Sequence, residues 1–140
     1  MFTDMYRIKT FITAGNSTIT LKSKLTQKYY TYRVRKMEDK VGVYFVSLLT
    51  GTDNNSSYNY IGLFYSFSNT FKTTAKSKMN YNSTPVKAFM YLCNNFANKD
   101  LPKNLTVYHE NKCGRCNRKL TTPESIQSGY GPECIKFICE

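Results

Sequence analysis

Cys113-Gly114-Arg115-Cys116, followed after seventeen intervening residues by Cys134, is the part of this 140-residue chain whose residue types and spacing demand a particular chemistry. Two thiolates so close in sequence can turn toward one point because Gly114 relaxes the backbone between them. The third arrives in a second turn, Gly129-Tyr130-Gly131-Pro132, in which glycines allow N–H groups to approach sulfur and proline stiffens the chain. This is the spacing of a zinc ribbon less one arm. Zn2+ is borderline soft and brings no geometric preference of its own, so thiolate and imidazole suit it and four of them close a tetrahedron. The fourth ligand is either His109, with three residues between it and Cys113, or Cys139, with four between it and Cys134. His109 is preferred.

Other uses of these cysteines fit less well. A redox Cys-x-x-Cys opens a helix after a strand, whereas Asn117-Arg118-Lys119-Leu120-Thr121-Thr122-Pro123 reads as a turn. A disulfide framework belongs to an exported chain, and Met1 to Arg7 lacks the apolar run of a signal peptide. A zinc enzyme needs an open coordination position and a general base nearby. Here four candidate ligands close the site, the chain has a single histidine, and Glu110 beside it does not reproduce a deaminase signature. There is also no phosphate-cradling glycine loop and no nucleophile elbow. The zinc is therefore expected to be structural, and no enzyme or small-molecule substrate is expected.

The elements that must position this site can be read from the remainder. Hydrophobic content of 41%, with 12 Tyr and 9 Phe, is that of a folded chain, and one domain of this size gains from a metal staple. Tyr6, Ile8 and Ile12 against Arg7, Lys9 and Phe11 read as a first strand ending at Ala14-Gly15-Asn16. Residues 18–22, 29–35, 41–49 and 58–65 read as four more, with Gly62 as a bulge. The near-continuous apolar run from Val43 to Leu49 is expected to be the central strand. Residues 66–82 have no clear period and read as a mobile loop that orders on a partner. Ser83-Thr84-Pro85 starts a helix over 85–97, capped by a hydroxyl, whose Val86, Phe89, Met90, Cys93 and Phe96 face the sheet. Cys93 belongs to that stripe and is a core residue. Leu105 to Tyr108 form a short strand delivering His109, and Thr122 to Ile126 one helical turn between the halves of the metal site.

The expected fold is thus α+β: an antiparallel sheet of about five strands in meander order with one packed helix (1–104), and a zinc-ribbon-like module (105–140) packed on it.

The chain carries 20 Lys and Arg against 9 Asp and Glu, a net charge of +11. That is the footprint of a protein that meets nucleic acid or an acidic surface. The excess is greatest in residues 1–50, outside the cysteine motif. In the strand 29–35, Arg33 and Arg35 share an outer face with Tyr29, and Lys22 and Lys24 lie beside them across a hairpin, a pattern that can stack bases and hold phosphates. A solvated strand face in which Tyr follows its β propensity is the plainer account of the same residues.

Several segments resemble a family of small proteins encoded by phages and mobile elements. They are Ala14 to Leu21, Tyr32 to Arg35, Phe45 to Asn54, Tyr60 to Gly62, and above all the C-terminal motif of His109, Cys113 to Cys116, Arg118 to Leu120, Pro123 to Ser125 and Gly131 to Cys134. The resemblance implies His109, Cys113, Cys116 and Cys134 as zinc ligands and gives Cys139 no role. In size and basic balance the chain is also similar to type II-A anti-CRISPR proteins, which phages use to disable Cas9. That implies a cytoplasmic inhibitor in a bacterial host that hinders loading of target DNA. At +11 it departs from the acidic, DNA-mimicking members, because the target groove of Cas9 is itself positive. The alternative is a nucleic-acid-binding module of phage replication or transcription, with Arg33, Arg35, Lys72, Lys76, Lys78, Arg115, Arg118 and Lys119 on phosphates.

Overall fold

The computed structural model describes residues 1–50 and 57–138. Its centre is one antiparallel sheet of six strands: β1 (Asn16–Ser23), β2 (Tyr29–Lys36), β3 (Val43–Leu49), β4 (Tyr58–Tyr65), β5 (Thr70–Lys72) and β6 (Leu105–His109). They lie in the order β5-β4-β3-β2-β1-β6. The first five follow the chain as a meander, and β6 returns to pair with β1, from Ile19 opposite His109 to Ser23 opposite Leu105. The strand leading into the cysteine motif is therefore an edge of the main sheet.

Residues 6–12, expected as a strand, lie within helix α1 (Met5–Ile12). Met5, Ile8, Phe11 and Ile12 are all buried, which is the spacing of one helical face. Asp4 stands at the N-cap in extended backbone, and its carboxylate accepts the Arg7 N–H at 2.8 Å. The alternation through Tyr6, Ile8 and Ile12 misleads because Tyr6 is exposed and Phe11, assigned to the polar side, is core.

Helix α2 (Thr84–Asn94) has proline in its first turn as expected. Ser83 occupies the N-cap, but its hydroxyl donates to the Asn80 carbonyl instead of accepting from the helix. Val86, Phe89, Leu92 and Cys93 form the buried stripe, and Cys93 is the core residue its spacing predicted. Phe89 meets Tyr32 and Phe71, each with ring centroids 4.9 Å away. Tyr32 is wholly buried, and its hydroxyl donates to the Pro85 carbonyl at 2.6 Å, while the Tyr44 hydroxyl donates to the Thr13 carbonyl at 2.8 Å. These two phenols pin both helices to the same face of the sheet. Each large side chain buried there contributes roughly 1.5–3 kcal/mol.

The segment 66–82 is more structured than its composition implied. It contains β5, whose Phe71 is buried, and a turn in which the Ser77 N–H donates to the Thr74 carbonyl. The Lys78 N–H donates to the Tyr60 carbonyl at 2.8 Å, stitching the turn to β4. Phe67, Phe71 and Tyr81 are scattered among Ser, Thr, Asn and Lys with no period to count, and only Phe71 is buried, so its anchoring role is invisible in sequence.

The bulge expected at Gly62 is present. Val46 pairs with Gly62 but Ser47 pairs with Tyr60, leaving Ile61 as the extra residue. A side chain at Gly62 would begin 2.4 Å from the Lys72 carbonyl oxygen, so this position admits glycine only. Gly62→Val is expected to destabilise the fold by about 1–3 kcal/mol through overpacking and loss of the β4–β5 register, measurable as a lower urea midpoint. An unchanged midpoint would contradict this.

No helix among the described residues is long and apolar enough to cross a membrane.

Candidate metal centre and open sheet face

The cysteine motif folds back on the start of the chain. From β6 the backbone enters a tight loop in which the Cys113 N–H donates to the Arg118 carbonyl at 2.8 Å and the Asn117 N–H to the Cys113 carbonyl at 2.8 Å, with Asn117 at positive φ closing the turn. Helix α3 (Pro123–Ser128), capped by the Thr122 hydroxyl, ends at left-handed Gly129, whose carbonyl accepts the Gly114 N–H at 2.9 Å. A short helix α4 (Ile135–Ile138) follows Cys134. Gly114 lies so close to the Phe11 ring that a side chain there would begin 2.7 Å from it. Phe11 also stacks near Tyr130 and His109, at centroid distances of 5.6 and 5.8 Å. The module thus covers the end of α1.

The sulfurs of Cys113, Cys116 and Cys134 all lie within 4.8 Å of one another. A Zn–S bond of about 2.3 Å places tetrahedral thiolates about 3.8 Å apart, so the cluster fits such an ion with little adjustment. Charge balance points the same way. Burial alone would raise the Cys113 thiol, but the N–H groups of Gly131, Cys116 and Arg115, with the Cys116 thiol, outweigh it and hold Cys113 below the ordinary value. Burial lifts Cys134; the Arg115 side chain opposes this and the two neighbouring cysteines add to it. A divalent cation would relieve the mutual repulsion of these sulfurs. The Arg115 N–H points at Cys113 Sγ (3.4 Å) and its Nη1 at Cys134 Sγ (3.6 Å), the kind of outer contact that spreads thiolate charge.

His109 does not join them. Its Nδ1 accepts the Asn111 N–H at 3.1 Å, and its Nε2–H donates to the Ile126 carbonyl at 2.8 Å. Burial holds the imidazole below its ordinary value, in keeping with the neutral ring these two bonds require. It therefore ties β6 to α3, apart from the three clustered sulfurs. Cys139, the other candidate, lies outside the described residues. His109→Ala is expected to keep a full equivalent of metal while losing about 1–2 kcal/mol of stability, from the hydrogen bonds and the packing against Phe2 and Phe11. Elemental analysis of this variant beside Cys139→Ser checks it; loss of metal on removing His109 would restore the imidazole as ligand.

The second feature is the sheet face turned away from α1 and α2. Register places Asn16, Arg35, Phe45, Leu63 and Lys72 in one row across β1 to β5, with Thr18, Arg33, Ser47 and Tyr60 in the next. At about 4.8 Å per strand the first row spans roughly 19 Å. Phe45 and Tyr60 are half-buried and meet edge to face, with centroids 6.2 Å apart. A depression of about 680 Å³ has Phe45, Ser47 and Tyr60 in its lining with Arg35, Lys76 and Lys78.

The cations expected to act together divide into groups. Arg35, Lys76 and Lys78 share that depression, and Lys72 stands exposed at the end of the first row. Arg33 is occupied, its guanidinium 4.3 Å over the Tyr58 ring. Arg118 and Lys119 line a separate depression beside Cys116 and Cys134. Phe45 and Tyr60 were missed in sequence. Phe45 was absorbed into an apolar run read as buried on both sides, and the bulge puts Tyr60 and Leu63 on one face although they are three residues apart.

A family model described as a family of unknown function (DUF6011) matches residues 103–136, which is β6 and the cysteine module. No curated protein and no solved structure matches the chain.

Proposed function

We propose that this chain is a metal-stapled module that binds single-stranded nucleic acid on its open sheet face. The observation that carries this reading is the juxtaposition of Phe45 and Tyr60 with Arg35, Lys76 and Lys78 around one depression on the sheet face turned away from α1 and α2. Unpaired bases expose flat π-faces that stack on aromatic rings, and the phosphates linking them seek cations; a groove with both along one row suits a single strand. A duplex hides its bases and would use the charges alone. The net charge of +11 supplies long-range attraction of either sign of specificity, but only the rings select unpaired bases.

The cysteine cluster serves this reading as a staple. Bound there, a metal would cross-link the Cys113–Cys116 knuckle to the turn before α4; the chain's own residues make the binding surface.

The test is a titration of a fluorescent single strand of about ten nucleotides, and of a duplex of the same length, at several salt concentrations. Binding should favour the single strand, with log K falling against log salt at a slope of at least about −2, as three phosphate contacts require. Equal affinity for duplex, or no binding at low salt, overturns the reading. Co-elution with Cas9 by a chain that binds no free strand would favour the inhibitor instead.

A further inference from the structure

A second depression of about 580 Å³ adjoins the first. It shares Arg35 and Phe45 with it and is otherwise lined by Ala14, Gly15, Asn16, Lys36, Glu38 and Arg115. The two are therefore halves of one groove meeting at the Arg35–Phe45 pair. Its far end is made by the cysteine knuckle. The Asn16 N–H donates to the Gly114 carbonyl at 3.1 Å, and Thr18 Oγ1 donates to Asn117 Oδ1 at 3.0 Å. Gly15, at φ +149°, lies so close to the Arg115 carbonyl that a side chain would begin 2.8 Å from it. Arg115 is held there from the other side as well, its guanidinium over the Phe137 ring at 3.9 Å and its Nη1 against Cys134 Sγ.

The chemistry of this end differs from that of the first. Three cations, Arg35, Lys36 and Arg115, line it together with the amide side chain of Asn16. A nucleotide matches this lining: phosphate oxygens for Lys36 and Arg115, and a base edge for the amide side chain of Asn16.

We propose that a bound single strand continues past Arg35 into this second depression, where Lys36 and Arg115 hold its backbone and the Asn16 amide reads a base edge. The metal knuckle is thereby one wall of the binding site. This rests on the single-strand reading above and extends it to five phosphate-facing cations, two of them outside the first depression.

The experiment uses the metal-loaded protein and single-stranded homopolymers of about ten nucleotides. Lys36 lies on β2 outside the Cys113, Cys116 and Cys134 cluster, so Lys36→Ala should leave the metal in place and still weaken binding severalfold, with the salt slope shallower by about 0.7. Arg115→Ala, with metal content measured alongside, should do the same, and the double variant should bring a slope of about −3.5 to about −2. Asn16→Ala should narrow the affinity differences among the four homopolymers while leaving the slope unchanged. If the wild-type protein binds single strands and these variants bind with the same affinity, slope and preferences, the strand stops at Arg35 and this inference fails alone. If the wild-type protein binds no single strand, the underlying reading fails with it.

Discussion

Replacing Cys113 or Cys134 by serine is expected to release the metal, unravel the chain after His109 and lower the melting temperature of the whole protein by on the order of 10 °C. Metal binding in small sites of this kind supplies about 10–16 kcal/mol, comparable to or larger than the net stability of an entire domain. The loss does not stay local. Gly114 and Tyr130 cover Phe11, which is 1% exposed and belongs to α1. Uncovering that ring forfeits roughly 1.5–3 kcal/mol, and the hydrogen bonds from Asn16 to Gly114 and from Thr18 to Asn117 go with it. A total near 3 kcal/mol corresponds to about 10 °C in a domain of this size. The sheet itself should survive, because Tyr32 and Phe71 pack on Phe89 of α2, and Phe64 on Tyr44 and Phe96, without using the metal module. Elemental analysis with thermal melting of each variant checks both halves of the expectation. Full metal content in Cys113→Ser, or a melting temperature unmoved by metal loss, would refute the staple.

The second large effect concerns the open face. Phe45→Ala and Tyr60→Ala should each weaken single-strand binding by about 5- to 100-fold, since stacking on an aromatic ring is worth about 1–3 kcal/mol per base. Lys76→Ala should cost less and act mainly through the salt slope. Phe45→Leu separates stacking from packing: it fills most of the same space, so the fold should hold while affinity drops almost as far as with alanine. If Phe45→Leu binds like wild type, the ring does not stack a base and the face is a structural surface.

The metal motif was legible because chemistry fixes it locally. Cys113, Cys116 and Cys134 come together as their spacing predicted, and Cys93, at helical spacing with Val86 and Phe89, is core. The meander was legible because strands 18–22, 29–35 and 58–65 each keep one face apolar over most of their length. What failed was whatever depends on partners distant in sequence. Residues 5–12 satisfy two periods at once, and the choice is made by the Asp4 cap and by the site that Gly114 and Tyr130 provide for Phe11. His109 stands at ligand spacing, yet the carbonyl of Ile126 and the N–H of Asn111 claim its nitrogens first. The open face was half visible: Arg35 was named, but its neighbours across the sheet are set by register and by one bulge, neither of which composition encodes.

The most direct measurement is an amide spectrum of the metal-loaded chain, titrated with a short single-stranded oligonucleotide. Shifts should concentrate on Arg35, Phe45, Ser47, Tyr60, Lys76 and Lys78, extending to Asn16, Lys36 and Arg115, with α2 silent. A spectrum that does not change, or one that changes along α2 and the helical face of the sheet, would contradict the account.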